Sequence, residues 1–396
     1  MKVMIAHNFY GDYATGGEAI VFNEEAELLK AHSIHVLKYE RSNSEIQKRN
    51  LLGKMKALFQ LHWSPETLEH TGKIMDHFKP DVLHVHNYKF LITPSIFKAA
   101  KQRNIKTVLT LHNYRLMVPC GNFMTRRGEI CEICMYGNPV NILLKRCSNG
   151  SLVKSYLQYR LFIKTKFNLN MLLDLVDVYI VLSDFAKHKL VQVGIPDNRI
   201  RIKPNFVYPV TKGMNVISKK ERAVFVGRLS YEKGCLQLIE NWSKINYPLY
   251  IIGSGPLLER SKLLARGNPY IYFAGNMDND DVKKFLQESS FLVFPSTWYE
   301  TMGLTILESM AAGIPVIATN LGPRAEMIRD GVTGLLYNPN DPVEFRSKTL
   351  SLINNKALRV EMGKAARNDY LKQYTPDVNY NILLNIYSNL LHSERI

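Results

Sequence analysis

The chain has 396 residues, of which 46% are apolar and 22% charged, the composition of a folded globular protein rather than a disordered or fibrous one. This length exceeds what one ordinary core fills, so we expect two domains. No run of about 18 apolar residues occurs, which argues against a spanning helix. The start, MKVMIAHNFYGD, predicts a first β-strand rather than a signal peptide, so we expect a cytoplasmic protein.

Short β-like runs alternate with helical patterns along the chain, which predicts parallel sheets covered by helices. The first half contains the predicted strands KVMIAH, HVLKYE, VLHVH, TVLTLH and VYIVLS and a predicted helix at Glu18–His32. A Pro/Gly/Lys-rich connector, KPNFVYPVTKGMNVISKKER, interrupts the pattern. The alternation then resumes with AVFVGRL, LYIIGSG, IYFAG, FLVFPS and PVIATN, and the end predicts a final helix.

These patterns predict two doubly wound α/β domains with a cleft between them. We expect an N-terminal domain at 1–207 and a C-terminal domain at 208–375. The helix at 376–396 is expected to pack back on the N-terminal domain. No low-complexity tract or short repeat is visible.

The formal charge of +16 includes two basic stretches with apolar partners. One is QKRNLLGKMKALFQLHW (47–63), with Leu51, Leu52, Met55, Leu58 and Phe59 among its basic residues. The other lies between Glu132 and Asp174, where no acidic residue occurs. Such faces suit an anionic membrane surface, although a solvated basic face is the simpler alternative. No nucleic-acid module is recognisable, so we expect no nucleic acid partner.

FVGRLSYEKG places Gly227, Arg228 and Lys233 directly after the strand that opens the second half. In doubly wound sheets, ligands bind beyond the carboxyl ends of the strands. A glycine there lets the backbone approach a ligand, and the two cations can neutralise a diphosphate. A basic surface turn is the alternative. The turn IIGSGP, with Gly253, has neither a dinucleotide nor a P-loop spacing and is a weak phosphate motif.

FPSTWYETMGLTILES carries Glu300 and Glu308 eight positions apart. We predict a helix from Met302 to Ala312, so that the backbone N–H groups of the residues before and at its start are free to bind phosphate. Those residues are Thr301, Met302, Gly303 and Leu304. Eight helical residues span about 12 Å, roughly a nucleotide diphosphate sugar from ribose to hexose. A capping glutamate and a solvent-facing glutamate form the alternative.

In this order FVGRLSYEKG, GSGP, the two glutamates, AAGIPVIATNLGPRAEMI and GVTGLLYNPND resemble the glycosyltransferase group 1 family. TGGEAIVFNEEAELLKA and TLHNYR are similar to that family's glycine loop and histidine strand end. The resemblance implies a GT-B fold, in which two Rossmann-like doubly wound domains face a central cleft. It also implies a retaining glycosyltransferase of family 4 type.

The resemblance further implies a role for each matching position. Gly16 and Gly17 would approach the donor diphosphate, and Arg228 and Lys233 would stabilise the leaving nucleotide diphosphate without a metal. Glu308 would hold the ribose, Glu300 the sugar hydroxyls, and His112 the transferred sugar. Asn205 would be architectural. Gly275, Asn276 and Met277 fall where the base is contacted.

The function expected from this resemblance is transfer of a hexose-type sugar from a nucleotide diphosphate sugar to a glycan or polyprenyl-diphosphate-linked acceptor. UDP is favoured as the nucleotide and GDP is the alternative, in capsule or O-antigen biosynthesis. A front-face mechanism would make the leaving phosphate assist acceptor deprotonation. The competing functions are an epimerase or phosphorylase of the same fold and a non-catalytic nucleotide-sugar-binding regulator. Peripheral contact with the inner face of the cell membrane would suit the basic stretches.

Four of the five cysteines crowd together as C-x10-C-x2-C-x12-C: Cys120, Cys131, Cys134 and Cys147. They lie in a segment at 115–150 that resembles an insertion found in some polysaccharide-assembly members of the family. In a cytoplasmic protein this cluster favours a structural tetrahedral zinc. A redox CxxC and four unrelated thiols are the alternatives. Four thiolates would leave no open position for catalysis, and no cofactor is expected for the reaction. Cys235 is predicted to be a small core residue.

Overall fold

The computed structural model describes residues 1–11, 16–50, 53, 60, 62–125, 128–148, 150–209 and 219–392, with only the backbone of 164–168. The chain divides into two compact units. The first unit contains Met1–Gly121, Ile133–Pro204 and Asn379–Ile396, and the second contains Asn122–Glu132 and Asn205–Val378. The segment predicted as an insertion at 115–150 is therefore shared between the units, because Asn122–Glu132 groups with the second.

The first unit is built on a parallel six-stranded sheet in the order β2-β1-β3-β4-β5-β6. Its strands are β1 (Lys2–Phe9), β2 (His35–Ser42), β3 (Val82–Asn87), β4 (Lys106–Thr110), β5 (Val178–Val181) and β6 (Ile200–Ile202). The helices between them are α1 (Gly17–Ala31), α2 (Ser44–Gln47), α3 (Pro65–Phe78), α4 (Ser95–Lys101), α5 (Ile133–Tyr136), α6 (Asn141–Leu144), α7 (Leu152–Leu175) and α8 (Asp184–Gln192).

The second unit repeats this plan with a parallel sheet in the order β12-β11-β10-β7-β8-β9. Its strands are β7 (Ala223–Val226), β8 (Leu249–Ile252), β9 (Ile271–Gly275), β10 (Phe291–Phe294), β11 (Val316–Thr319) and β12 (Gly334–Tyr337). Its helices are α9 (Cys235–Trp242), α10 (Leu258–Leu264), α11 (Asn279–Gln287), α12 (Leu304–Ala311), α13 (Arg324–Met327), α14 (Pro342–Asn354) and α15 (Lys356–Gln373).

The last helix, α16 (Pro376–His392), completes the core of the first unit. Its buried residues Leu383, Ile386 and Tyr387 pack in one cluster with strand residues of the first sheet, such as Val82 and Val108. The physical reason is its pattern of apolar residues three and four apart, which gives one buried face. The second unit has its own core around Trp242 and Phe345, and Cys235 lies in it, as predicted.

The fold corrects several sequence-based expectations. The helix predicted from Met302 begins at Leu304, because Gly303 has an extended ψ of 98° and serves as the N-cap. Glu300 therefore lies in the preceding loop, and the estimate of about 12 Å for eight helical residues does not apply. The strands β6 and β12 were not predicted. β6 is three residues long, too short for a clear periodicity, and β12 lies inside GVTGLLYNPND, which was used only as a family motif.

Some expectations concern residues outside the described part of the chain. These are the apolar residues Leu51, Leu52, Met55, Leu58 and Phe59 of the first basic stretch, residues 210–218 of the connector and the last four residues of the predicted final helix. Within the described residues, no helix combines the length and the apolar character needed to cross a membrane.

Candidate functional site

The carboxyl ends of β7 and β10 form the topological switch point of the second sheet. From β7 the chain continues outward to β8 and β9, and it then returns to place β10 on the other side of β7. The helices after these two strands leave on opposite sides of such a sheet, which opens a crevice where ligands bind. Gly227 and Arg228 directly follow β7, and the loop that leads to Glu300 follows β10. The sequence motifs therefore converge on this crevice.

Glycines allow the loops at this switch point to pack closely. Gly234 has a φ of 69°, and a Cβ atom there would lie 2.1 Å from the carbonyl oxygen of Pro295. The backbone N–H of Thr297 donates to the carbonyl of Glu232 at 2.9 Å, which ties the two loops together. Gly253, with a φ of 126°, packs against the Gly227 carbonyl in the same way. These contacts give Gly253 a role in close packing.

Lys233 and Glu300 form an ion pair between the two loops. The Nζ of Lys233 lies 2.6 Å from Oε1 of Glu300, and the Ser296 hydroxyl donates to the same oxygen at 2.9 Å. Burial alone would raise the pKa of the Glu300 carboxyl, but the charge and hydrogen bond of Lys233, with Arg324, hold that pKa below its ordinary value. Glu300 is therefore an ionised, buried carboxylate, while Lys233 is partly exposed.

Arg324 supports the loop that carries Glu300, a function that the sequence reasoning missed. Its guanidinium is fully buried and donates to the carbonyl oxygens of Thr319, Ser296 and Trp298 at 2.8 to 3.1 Å. A buried charge must be compensated by such hydrogen bonds. The signal was an arginine inside the turn NLGPRAEM directly after an apolar strand, in a motif that was quoted without a role.

The N-terminus of α12 lies after this loop. Gly303 gives it no side-chain cap, so the first N–H groups of the helix lack an intrahelical partner. Glu308 lies one turn along the helix and is half-buried, beside Tyr208 and Lys283. The backbone N–H of Asn205 donates to Sδ of Met302 at 3.0 Å. This contact gives both residues a structural role. Gly275, with a φ of 72°, is the last residue of the edge strand β9, and Asn276 and Met277 follow it.

The corresponding switch point of the first sheet lies between β1 and β3. Gly16, with a φ of 127°, is the N-cap of α1, and Gly17 is its first residue. Neither carries a side chain that would cap the helix, and both are exposed. Asn87 ends β3, and its Nδ2 donates to Glu18 at 3.1 Å. The predicted glycine loop thus approaches the edge where a ligand of this unit would bind.

A buried network of charged and polar side chains crosses the core of the first unit. Glu25 of α1 is fully buried, and its Oε2 pairs with Nζ of Lys203 at 2.6 Å. Lys203 also donates to Oδ1 of Asn379 on α16 at 3.1 Å. Oε1 of Glu25 lies 3.0 Å from Nε2 of His86. Burial would raise the pKa of Glu25, but Lys203 and His86 hold it well below its ordinary value.

This network reaches His112, the histidine that the sequence placed near the transferred sugar. Nδ1 of His86 lies 2.9 Å from Nε2 of His112. When neutral, His86 donates from Nε2 to the carboxylate and accepts at Nδ1, so His112 must donate from Nε2 and keep Nδ1 as an acceptor. Burial and then the neighbouring His86 hold the pKa of His112 well below 6.5, so its ring is uncharged.

Glu25, His84 and His86 are the one group of three metal-ligand side chains within mutual reach among the described residues. Lys203 already neutralises Glu25, and burial lowers the pKa of His84 far below its ordinary value. The sequence reasoning did not single out His84 or His86. Their spacing of two within VLHVH, which places both on one face of an apolar strand, was the available signal.

None of the five cysteines forms a disulfide. Cys134 lies in α5, and Cys147, after α6, lies 3.9 Å from the Asn141 carbonyl oxygen. The cysteines of the first unit do not form a metal-ligand group within its described residues, and Cys131 belongs to the second unit. The zinc cluster therefore stays a prediction. Burial raises the pKa of the Cys235 thiol, which suits its place in the core.

Family models match both halves of the chain. Residues 14–209 match a model described as Glycosyltransferase Family 4, and residues 212–369 match one described as Glycosyl transferases group 1. A D-rhamnosyltransferase of Pseudomonas aeruginosa is 33% identical over 38% of this chain and 41% of its own length. An O-antigen chain mannosyltransferase of Escherichia coli is 29% identical over 43% of this chain and 47% of its own.

Solved structures share the whole fold. Anabaena HepE in complex with UDP superposes with a TM-score of 0.67, covering 98% of this chain and 100% of that protein at 15% identity. At that identity the likeness shows the GT-B fold alone. The chain spans less than half the length of several curated relatives that it matches, including the rhamnosyltransferase.

Proposed function

Because the chain belongs to the group 1 glycosyltransferase family, we propose that it transfers a hexose-type sugar from a nucleotide diphosphate sugar, with retention at the anomeric carbon. The observation that supports this most directly is the switch point of the second sheet. Arg228 and Lys233 after β7, the buried carboxylate of Glu300 after β10 and the uncapped start of α12 are all placed there. Together they match the chemistry of a sugar diphosphate.

Each group has a distinct task in this reaction. Departure of the nucleotide diphosphate develops negative charge, which the exposed Arg228 and partly exposed Lys233 stabilise without a metal ion. Glu300, held ionised by Lys233, accepts hydrogen bonds from hydroxyls of the transferred sugar. His112, a neutral imidazole held by His86, contacts the transferred sugar. A phosphate oxygen of the leaving group then takes the proton of the acceptor hydroxyl, in the front-face mechanism that the family implies.

The donor is best tested first through its nucleotide. We favour UDP, since HepE binds it and has the same fold, with GDP as the alternative. Thermal unfolding with millimolar UDP, GDP, ADP or CDP should show a shift with one of them. A nucleotide at about 100 times its Kd stabilises the folded state by about 2.7 kcal/mol. The shift should vanish in Glu308→Ala and persist in Glu361→Ala, an exposed helical glutamate of the same unit.

Turnover is the second test, and it separates a transferase from the other enzyme and regulator functions. Incubation with the donor sugar alone should release little nucleotide, whereas addition of a lipid-linked or free glycan acceptor should release it stoichiometrically with product. Isomerised donor without an acceptor would show an epimerase. Binding of the donor without turnover on any acceptor would show a nucleotide-sugar-binding regulator and overturn this proposal.

The acceptor is a growing surface glycan, in line with the O-antigen enzyme among the relatives.

A structural zinc at Cys120, Cys131, Cys134 and Cys147 is part of the proposal, and metal analysis of the purified protein tests it. One equivalent of zinc that is lost in Cys131→Ser, with nucleotide binding retained, would support a structural site. Absence of zinc in protein purified without chelators would contradict the zinc site and show that the four cysteines are unrelated thiols.

A further inference from the structure

A cavity of about 400 Å³ in the first unit lies beside its own switch point. Tyr88, Lys89 and Phe90, which directly follow β3, line it together with residues of α7. This volume is within the range of small-molecule sites, roughly 300 to 1,000 Å³. None of its lining residues has a role in the proposed donor site.

The lining of this cavity contains cations and, among the described residues, no carboxylate. Lys89 and Arg115 both line it, and the Lys89 side chain forms no ion pair or hydrogen bond with a described residue. Arg115 donates to the Tyr10 hydroxyl and stacks over that ring at 4.8 Å. The carboxylate whose charge acts on Arg115 is Glu18, which does not line the cavity. Two cations without a carboxylate among the described lining residues favour an anionic ligand.

The ionisation of Lys89 fits this arrangement. Burial, and then repulsion by Arg115, lowers the pKa of the Lys89 ammonium to about 7. A phosphate group bound between the two cations would compensate both effects. Gln158 adds a polar group: its Nε2 donates to the Pro119 carbonyl at 3.2 Å, while its Oε1 is buried and has no partner among the described residues. That oxygen would accept from a ligand hydroxyl.

The cavity also has apolar lining residues on α7, and the same helix exposes further apolar side chains. Leu157, Leu161, Phe162 and Leu172 of α7 line the cavity. The first turns of the same helix expose Leu152, Val153 and Tyr156, each at least 49% accessible, around the exposed Lys154. An apolar face that includes cationic residues fits an amphiphilic anion better than a free sugar phosphate.

We propose that this cavity holds the lipid phosphate end of the acceptor, a long-chain prenyl diphosphate that carries the growing glycan. The phosphates lie between Lys89 and Arg115, and the first prenyl units lie along Leu157, Leu161 and Leu172. The rest of the chain leaves over the exposed face of α7 toward the bilayer. This inference rests on the proposed function, because it names the acceptor of that reaction.

The test uses the full-length protein and three probes: farnesyl diphosphate, inorganic pyrophosphate and farnesol. Isothermal titration should show farnesyl diphosphate binding at least tenfold more tightly than either of the others, since only it has both an anion and a chain. Lys89→Met should weaken it about 10- to 100-fold, the effect of losing a hydrogen bond to a charged group. Lys89→Arg should retain most of the binding, and Lys98→Met, an exposed lysine on α4, should leave it unchanged.

A second variant checks the apolar lining. Leu161→Asp, at a partly exposed position that tolerates a charge, should weaken farnesyl diphosphate but not pyrophosphate. Equal affinity for pyrophosphate and farnesyl diphosphate would reveal a free-phosphate site and overturn the lipid assignment. Equal affinity for farnesol, or no response to Lys89→Met, would overturn the assignment of the anion.

Nucleotide binding separates failure of this inference from failure of the proposed function. If UDP or GDP stabilises the protein but farnesyl diphosphate does not bind, the cavity assignment is wrong and the transferase proposal stands. If farnesyl diphosphate binds as expected but no nucleotide does, the cavity holds a prenyl phosphate and the acceptor role assigned to it is wrong.

Discussion

Two buried or partly buried lysine–glutamate pairs, one in each unit, have the same N–O distance, yet they differ in what surrounds them. Lys203 and Glu25 in the first unit lie 2.6 Å apart with side chains 1% and 0% exposed. Lys233 and Glu300 in the second unit also lie 2.6 Å apart, but the lysine is 25% exposed. The first pair, called the closed pair here, is surrounded by core residues and Asn379 and has almost no access to solvent. Its charges therefore stabilise the fold. The second faces a crevice, so its lysine can exchange its partner for a ligand.

The largest effect should come from breaking the closed pair. Lys203→Met leaves the Glu25 carboxylate buried without its cation, which should cost the first unit about 3 to 5 kcal/mol of unfolding free energy. Urea denaturation followed by circular dichroism measures this. Lys30→Met, which breaks the exposed pair with Glu27, is the control and should cost less than about 1 kcal/mol. A similar small cost for Lys203→Met would show that the network does not stabilise the core.

Changing the open pair should affect catalysis instead of the fold. Glu300→Gln keeps the size of the side chain but removes the charge that orients sugar hydroxyls, so turnover should fall about 10²- to 10³-fold. The thermal shift produced by the nucleotide should stay within error of the wild type, because the nucleotide contacts other groups. Steady-state rates measure the effect, with the donor sugar whose nucleotide stabilises the protein in the thermal unfolding experiment. Unchanged turnover would remove Glu300 from the reaction.

The geometry of the open pair depends on Gly234. Gly234→Ala places a Cβ atom 2.1 Å from the Pro295 carbonyl at a φ of 69°, which should cost about 1 to 3 kcal/mol and move Lys233 away from Glu300. Both stability and turnover should therefore fall. Gly267→Ala is a matched control, since Gly267 has a φ of 86° but no atom near a new Cβ. If both variants behave alike, backbone strain alone explains the loss, and close loop packing does not.

Acid should lower the stability of the first unit by a smaller amount through His7, a buried histidine of β1. Burial, and then His86, lowers the pKa of His7 from 6.5 to about 3. A histidine with a lowered folded pKa contributes stability that is present above pH 6.5 and is lost as the pH falls toward 3. At pH 5.5 this amounts to about 1.4 kcal/mol. The ring stacks on Phe22 at 5.0 Å, so His7→Phe should fit.

The decrease in stability between pH 7 and pH 5.5 should accordingly be smaller in His7→Phe than in the wild type. Urea midpoints at the two pH values measure it, with His35→Phe, an exposed position, as the control. An identical pH dependence in His7→Phe and the wild type would argue against a neutral buried His7. His84 and His112, whose pKa values are also lowered, decrease the stability of the protein at low pH in the same way. Both are present in the wild type and in His7→Phe, so their effect is common to the two proteins.

The motifs of the second unit could be located from the sequence because each follows a strand. Parallel strands align their carboxyl ends, so Arg228 after β7 and Glu300 after β10 had to reach the same edge. The pairing of Lys233 with Glu300 could not be foreseen, since it depends on how closely Gly234 lets two loops approach. Arg324 was also missed, because its three acceptors are backbone carbonyls with no sequence signature.

The sequence by itself determined the two α/β units, the sheet edges where the candidate site residues lie and the family, because periodicity and motif order are local properties. Only the tertiary structure decided which charged pairs are buried in the core and which are accessible to a ligand. Glu25, Lys203 and Asn379 come from distant parts of the chain and meet only when α16 packs on the first unit. The same is true of Lys89, Arg115 and α7 around the cavity. Burial fixes the free energy of a charge, and burial is a property of the packed fold.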